Sequence, residues 1–284
     1  MNPIQLRQSI RDMLNEDIGA GDITTESLVE ANQQSSAVLL AKQSGVIAGL
    51  PIVAQVFQEL DPLLDFQSQV AEGQKVDSFQ TIAVLSGSTK AILTAERVAL
   101  NLLQRMSGIA TLTRQLVDQL EGLDCRVLDT RKTTPGLRPF EKYAVRMGGG
   151  TNHRFGLSHG VMIKDNHIAF AGSMQKAVEK VRQRAGHMVQ IEVEADTLEQ
   201  VKEALSLPIH ALLLDNMNIN DLRKAVAMID GKVWAEASGG ITPETIRAIA
   251  ETGVNAVSVG YLTHSATALD ISLDFVEEGT ENNA

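Results

Sequence analysis

Cysteine is almost missing from this 284-residue chain, where Cys125 stands alone. A single thiol cannot close an intrachain disulfide and cannot build a cysteine-based zinc site. Basic residues are in deficit, with 25 Lys and Arg against 35 Asp and Glu and a net charge of −10. That balance argues against a general nucleic-acid or membrane-surface binder, which needs a positive field. Long apolar runs are also lacking, and none approaches the roughly 20 residues that span a bilayer. The opening MNPIQLRQSIRDML has no basic start followed by an apolar stretch, so no signal peptide is expected. These absences lead to the expectation of a soluble cytoplasmic protein. The rest is ordinary: 44% of residues are apolar and 21% charged, as in globular domains. The length suits one large domain, or a large domain with a companion.

The chain changes rhythm about a third of the way along. Ile4, Ile10, Met13 and Leu14 recur at near-helical spacing and predict a short helix over 3–15. Between 36 and 90 the brief apolar runs AVLLA, VIAGL and TIAVL, punctuated by Gly, Asp and Ser, read as strands. From Thr89 to about Leu120 the pattern turns helical, with Leu93, Leu100, Leu103 and Ile109 as buried candidates and Gly108 as a break or bend. Residues 1–110 thus read as a smaller N-terminal α/β domain, with the C-terminal tail a candidate to pack on it.

Residues 111–284 repeat a different unit. Short strands begin near 125, 160, 189, 210, 232 and 256: CRVLDT, GVMIKDN, VQIEVEA, HALLLDN, KVWAEAS and AVSVG. The last three intervals, 21, 22 and 24 residues, each hold one strand, one helix and two loops. Such units build a parallel sheet, either open or closed into a barrel. The strand ends discriminate between the two. They carry Asp129–Thr130–Arg131–Lys132, then Lys164–Asp165–Asn166, Glu192 and Glu194, Asp215, Glu236 and Ser238, and Ser258 to Gly260. A barrel draws its site from many carboxyl-terminal strand ends, whereas an open sheet concentrates it at one switch point. Six clear strands rather than eight predict an α/β fold with an incomplete parallel β/α barrel.

Charge is strongly segregated. The segment 131–164 holds Arg131, Lys132, Arg138, Lys142, Arg146, Arg154 and Lys164 against one acid, Glu141, a net +6 inside an acidic protein. A charge run is usually a solvated face. Here Arg131, Lys132 and Lys164 sit at the ends of buried strands, where cations repel at a cost of about 3 kcal/mol per close pair. A bound anion would reverse that sign. Gly148–Gly149–Gly150 is neither a Walker loop nor a dinucleotide fingerprint and reads equally well as a tight turn. Ser238–Gly239–Gly240, followed by Thr242–Pro243 opening a helix, and Ser258–Val259–Gly260 sit where barrels commonly hold a phosphate; plain loop chemistry explains them equally well. Glu192 and Glu194 share one strand face. Glu194 and Asp215 suit a divalent ion shared with substrate oxygens, or pairing with nearby lysines. Together these features suit a phosphorylated, metal-chelating substrate and a second, acidic one.

The run LDTRKTTPGLRPFEKYAVRMGGGTNHRFGLSHGVMIKDNHI, Leu128 to Ile168, closely resembles the quinolinate phosphoribosyltransferase family. DIGAGDITT, AERVALN, EVEA, LLLDN, ASGGI and VSVGYLTH extend the resemblance over nearly the whole chain. It implies transfer of phosphoribosyl from phosphoribosyl pyrophosphate to quinolinate with loss of CO2, giving nicotinate mononucleotide and pyrophosphate for NAD biosynthesis. It implies magnesium as cofactor and a homodimer in which Arg97 serves the partner's site. By motif, Arg131, His153 and Arg154 line the quinolinate carboxylate pocket with Arg97, and Thr130 belongs to the same substrate-binding set. Lys132 and Lys164 lie near both substrates. Glu194 and Asp215 face ribose and magnesium. Lys132, Lys164, Glu194 and Asp215 form the catalytic set. Ser238, Gly239, Gly240, Ser258, Val259, Gly260 and His264 hold the 5-phosphate.

Singly, these residues have plainer readings: Arg97 as a solvated helix face, His153 and His264 as loop histidines, and Cys125 as a packed small residue. Two alternative enzymes remain at this point, a same-fold phosphoribosyltransferase with another acceptor and a Schiff-base aldolase using Lys164. A non-enzymatic anion-binding scaffold is a third reading.

Overall fold

The computed structural model describes residues 2–276, so the last stretch of the C-terminal tail, 277–284, lies outside the described residues. The chain divides into two compact units. One is made of residues up to Leu112 with Gly136–Gly148 and the segment from Ala266; the other is Thr113–Pro135 with Gly149–Ser265.

The chain begins with α1 (Pro3–Ile18) and α2 (Ile23–Leu28). Next come β1 (Gln34–Ala41), β2 (Gly45–Val46), α3 (Leu50–Leu60), β3 (Asp65–Ser68), β4 (Lys75–Val76) and β5 (Thr81–Ser88). The long helix α4 (Thr89–Gln119) follows. Helix α1 buries Leu6, Ile10 and Leu14, while Ile4, an expected core position, is exposed. In α4 the residues Ile92, Ala95, Ala99, Leu103, Met106 and Ala110 are all essentially inaccessible, a stripe of three- and four-residue steps. Gly108 does not break this helix; a Cβ there would lie 2.0 Å from the Thr267 carbonyl oxygen, so close backbone approach is what the glycine permits.

The run VIAGL, expected as a strand, instead spans the junction from β2 into α3. Gly49, at φ +115°, starts the helix, and Pro51 occupies its first turn, where a missing N–H costs nothing. Glu72 completes the turn by accepting from Gly49 N–H at 2.9 Å and Leu50 N–H at 2.7 Å. The LPIVAQVF stretch then buries Leu50, Ile52, Val53, Val56 and Phe57 at helical spacing.

In the other unit β6 (Arg126–Leu128) opens the repeating series. Helix α5 (Arg138–Met147) interrupts it and belongs to the first unit. The series resumes with β7 (Val161–Ile163), α6 (Asp165–Ala171), α7 (Met174–Arg184) and β8 (Ile191–Ala195). It continues through α8 (Leu198–Ala204), β9 (Ala211–Asp215), α9 (Ile219–Ile229) and β10 (Trp234–Ser238). It ends with α10 (Ile246–Ala250), β11 (Ala256–Ser258) and α11 (Tyr261–His264). A last strand, β12 (Ile271–Phe275), pairs antiparallel with β1 and makes one edge of the sheet β12-β1-β5-β3. Residues 136–148 and 266–276 group with the N-terminal segment; the sequence suggested a boundary near 110 and the C-terminal tail as a candidate to pack there, and had no place for 136–148.

The six parallel strands run in the order β6-β11-β10-β9-β8-β7. They follow chain order around the sheet, and the first two, β6 and β7, are the ends that do not pair. This is the incomplete β/α barrel, open where the chain departs to form α5. Thr151 partly covers the free edge of β6, with its N–H on the Val127 carbonyl at 2.8 Å. Two contacts explain why α5 leaves the series: Tyr143 donates its hydroxyl to Glu72 at 2.6 Å, and buried Glu141 pairs with Arg105 at 2.5 Å.

Side chains alternate across the barrel strands. Val193, Leu212, Leu214, Ala235, Ala237 and Val257 are buried on one face, the side of the helix residues Val178, Val201, Leu222, Ala225 and Ile246. The opposite face presents Glu192, Glu194, Leu213, Asp215, Glu236, Ser238 and Ser258 to the barrel interior.

Candidate active site

A cavity of about 560 Å³ opens at the carboxyl ends of these strands. The loop after β6 contributes Thr130, Arg131 and Lys132; β7 contributes Met162 and the following Lys164; β8 contributes Glu194. Leu213 and Asp215 come from β9, Glu236 and Ser238 from β10, and Gly239, Gly240 and Ile241 from the loop beyond. Ser258, Val259, Gly260, Tyr261 and His264 close the circle, with His153 and Arg154 from the loop before β7. Every substrate-binding candidate named from the sequence except Arg97 lines this one cavity. Arg97 lies on α4 in the other unit, mostly exposed, with Glu96 at 4.0 Å, the limit of an ion pair.

The cationic segment does not converge as a whole. Arg131, Lys132, Arg154 and Lys164 reach the cavity, whereas Arg138, Lys142 and Arg146 ride on α5 in the first unit. Their sequence proximity reflects the excursion of the chain between β6 and β7. Gly148–Gly150 is likewise outside the lining; it ends α5 and returns the chain to the barrel, with Gly149 at φ +91°. The pair Gly239 and Gly240 does line the cavity, at φ +94° and +59°. The helix expected from Thr242 begins at Ile246, after a turn closed by Thr245 N–H on the Thr242 carbonyl at 3.1 Å.

Local hydrogen bonds hold the cationic wall in place. Asp129, fully buried, accepts from the Asn152 side-chain amide at 2.5 Å and from His153 N–H at 2.8 Å. This fixes the loop that carries Arg154, whose guanidinium donates to the Gly160 carbonyl at 2.8 Å. Thr263 donates to the Lys132 carbonyl at 2.7 Å. Burial and then repulsion from Arg131 push the Arg154 guanidinium below its usual range, with Glu192 opposing. Neighbouring cations under desolvation favour an anion beside them.

His153 lines the cavity, yet both its ring nitrogens have protein partners. Nδ1 accepts from Arg154 N–H at 2.7 Å, so Nε2 carries the proton, and it faces Glu192 at 3.1 Å and Glu236 at 3.6 Å. The resemblance gave this residue only a place beside a substrate carboxylate. Lys164 Nζ pairs with Glu194 Oε2 at 2.5 Å. Oxygens of Glu194, Asp196 and Asp215 lie within 4.8 Å of one another. Three hard oxygen donors at a cavity edge suit magnesium, which takes a few carboxylates and completes its shell with water and phosphate oxygens.

Asp196 was missed from the sequence, although the two-residue period that joins Glu192 to Glu194 continues to it. Tyr261 was missed as well, and Glu236 was noted only as a strand-end acid. Among the described residues, the buried side-chain atoms without a hydrogen-bond partner are Glu236 Oε1 and the Tyr261 hydroxyl, and both residues line the cavity. Unsatisfied buried polar atoms are rare and call for a partner, whether an ordered water, an ion or a ligand.

A strand-end cavity on a β/α barrel, walled by cations on one side and carboxylates on the other, defines a barrel enzyme acting on anionic substrates. Comparison with known proteins makes this specific. The family models for the quinolinate phosphoribosyl transferase N-terminal and C-terminal domains match residues 22–107 and 109–274. A Bacillus subtilis protein named probable nicotinate-nucleotide pyrophosphorylase [carboxylating] is 47% identical over 274 residues, 96% of this chain and 94% of that one. The crystal structure of NadC from Streptococcus pyogenes superposes with a TM-score of 0.93 at 40% identity, covering 98% of this chain and 99% of that one. The nicotinate-nucleotide pyrophosphorylase from Francisella tularensis gives 0.92 at 37% identity, over 97% and 98%. The chain belongs to the quinolinate phosphoribosyltransferase family.

Proposed function

We propose that this enzyme transfers phosphoribosyl from phosphoribosyl pyrophosphate to the ring nitrogen of quinolinate and releases the 2-carboxylate as CO2. The products are nicotinate mononucleotide and pyrophosphate, a step of NAD biosynthesis. The observation that carries the reading is the joint placement of Arg131 and Arg154, mutually repelling, in one cavity with Lys132, Lys164 and two strand-end carboxylates.

Quinolinate is a dianion, and planar guanidinium groups match carboxylates. Arg131 and Arg154 are assigned to its carboxylates, with His153 holding the loop behind them. Breaking the ribose–pyrophosphate bond places positive charge on the sugar, which Glu194 and Asp215 stabilise from the strand ends. Lys132 and Lys164 lie between the two anions and orient them. Gly239 and Gly240 let the backbone approach the 5-phosphate beside Ser238, Ser258, Val259, Gly260 and His264. Glu194 and Asp215, with Asp196 beside them, would hold magnesium. An ion held by these carboxylates would supply charge stabilisation for the departing pyrophosphate. Positioning and electrostatics account for the catalysis, with no covalent intermediate on the protein.

The active form is a homodimer in the cytoplasm, in which Arg97 completes the partner's quinolinate pocket. Its exposure and its marginal contact with Glu96 leave its guanidinium available for a ligand. No helix among the described residues is long and apolar enough to cross a membrane. The Schiff-base reading is less well supported, because Lys164 is engaged by Glu194.

The decisive experiment incubates the protein with quinolinate, phosphoribosyl pyrophosphate and magnesium and measures CO2 and nicotinate mononucleotide. Stoichiometric formation of both supports the assignment, and formation of neither refutes it.

A further inference from the structure

The assigned reaction leaves one task without a residue. When the bond between C2 and its carboxylate carbon breaks, the electron pair stays on C2 beside the pyridinium nitrogen. CO2 departs, and C2 must then gain a proton. An acid in the cavity wall can supply it.

Glu236 has the required features. It comes from the middle of β10, is 2% exposed, and lines the cavity. Its Oε2 lies 3.6 Å from His153 Nε2, whose proton is directed at Glu192 at 3.1 Å, so this oxygen faces the positive edge of the imidazole without accepting a hydrogen bond from it. Its Oε1 is buried and has no partner. A neutral carboxyl group in this setting bears its proton on Oε1. Glu236, His153 and Arg154 also line a second cavity, of about 430 Å³, whose wall includes the first residues of β7, β8, β9 and β10. Glu236 thus belongs to the linings of two cavities, one at each mouth of the barrel.

We infer that Glu236 is the acid that protonates C2 of the pyridinium after CO2 has left, an assignment that rests on the proposed function. The proton moves from Oε1 to C2, a C–H bond forms, and the remaining carboxylate is reprotonated by water from the second cavity. The groups facing Glu236 favour this. Burial, then repulsion from Glu192, raise the carboxyl to about 7, against the opposing influence of His153 and the Ser258 hydroxyl, while buried Asp129 adds to the rise. An acid in that range is half-protonated near neutrality, where proton donors work best.

The test uses the full enzyme with magnesium, quinolinate and phosphoribosyl pyrophosphate, following pyrophosphate and nicotinate mononucleotide separately in a single turnover. Glu236→Gln keeps the shape and removes the acid. Pyrophosphate release should stay within a few-fold of wild type, and nicotinate mononucleotide formation should fall about a hundredfold, the usual scale of a lost general acid. Glu236→Asp should recover part of the rate. Product formation by Glu236→Gln at the wild-type rate overturns the inference, as does an equal loss of pyrophosphate release and product, which marks a merely structural role. The wild-type pH profile decides the matter if the variant fails to fold. The single-turnover product rate should fall as pH rises through about 7, and a flat profile overturns the inference. A wild-type enzyme that makes no CO2 at all refutes the assigned reaction itself, and this inference with it.

Discussion

Lys164 and Glu194, from the ends of neighbouring strands β7 and β8, meet at 2.5 Å across the cavity. The pair shares its carboxylate between a cation proposed to orient the substrates and the cluster proposed to hold magnesium. Glu194→Gln should therefore raise the magnesium concentration needed for half-maximal activity by about tenfold to a hundredfold, the scale for a weakened metal site. Activity titrated against magnesium checks this, and an unchanged midpoint argues that the carboxylate serves only Lys164.

Arg131 is assigned to a carboxylate of quinolinate and makes no proposed contact with the 5-phosphate. Arg131→Ala should raise the KM for quinolinate about tenfold to a hundredfold, the cost of a lost charge-assisted hydrogen bond, and shift that for phosphoribosyl pyrophosphate much less. Steady-state kinetics with each substrate varied in turn separates the two. Equal losses contradict the role.

Arg97 and Lys132 are predicted to act in the same site from different subunits. Inactive Arg97→Ala and inactive Lys132→Ala dimers, mixed and allowed to exchange, should regain about a quarter of wild-type activity, because half the dimers are hybrids with one intact site each. No recovery in verified hybrids places Arg97 in its own subunit's site, or in none.

Gly239 and Gly240 should respond differently to the same methyl group. At Gly239 a Cβ would lie 2.1 Å from Asn216 Oδ1 at φ +94°, so Gly239→Ala should cost about 2 kcal/mol or more. At Gly240 nothing lies within 4 Å and φ is +59°, so Gly240→Ala should cost only about 1 kcal/mol. Denaturant unfolding ranks them, and a reversed order contradicts the loop geometry.

Glu236 also makes a prediction for stability that is independent of activity. Its carboxyl is raised from 4.5 to about 7 in the fold. A raised acid contributes stability that is complete below its unfolded value and is lost as pH rises through the folded one. Glu236→Gln should thus match wild type most poorly near pH 5 and gain on it by roughly 3 kcal/mol by pH 8. Unfolding free energies at the two pH values test the sign. A variant that loses ground toward pH 8 contradicts a neutral Glu236.

The barrel and most of its cavity lining were legible because a β/α repeat exposes its strand ends at fixed intervals, and Lys164, Glu194, Asp215 and Ser238 all stand there. Glycine pairs at 239–240 were legible for the same reason. The chain's excursion at 136–148 was not, since Arg138, Lys142 and Arg146 have the same composition as the true cavity cations and differ only in which unit they join. Helix α3 was hidden because its start, Gly49–Leu50–Pro51, looks like the end of a strand, and its cap comes from Glu72, 22 residues downstream. The work of Asp129 and Glu236 depends on partners from other loops and strands, Asn152, His153 and Glu192, that no local pattern connects to them.

Strand β12, near the end of the chain, is the outer neighbour of β1, near its start. During synthesis β1 leaves the ribosome with one hydrogen-bonding edge bare, and that edge stays bare while more than two hundred further residues are made. The barrel segments emerge completely before β12 does, so the barrel has the earlier opportunity to fold and the four-stranded sheet can be completed only afterwards. The newborn polypeptide thus carries one unpaired strand flank, in the unit that holds β1, through most of translation.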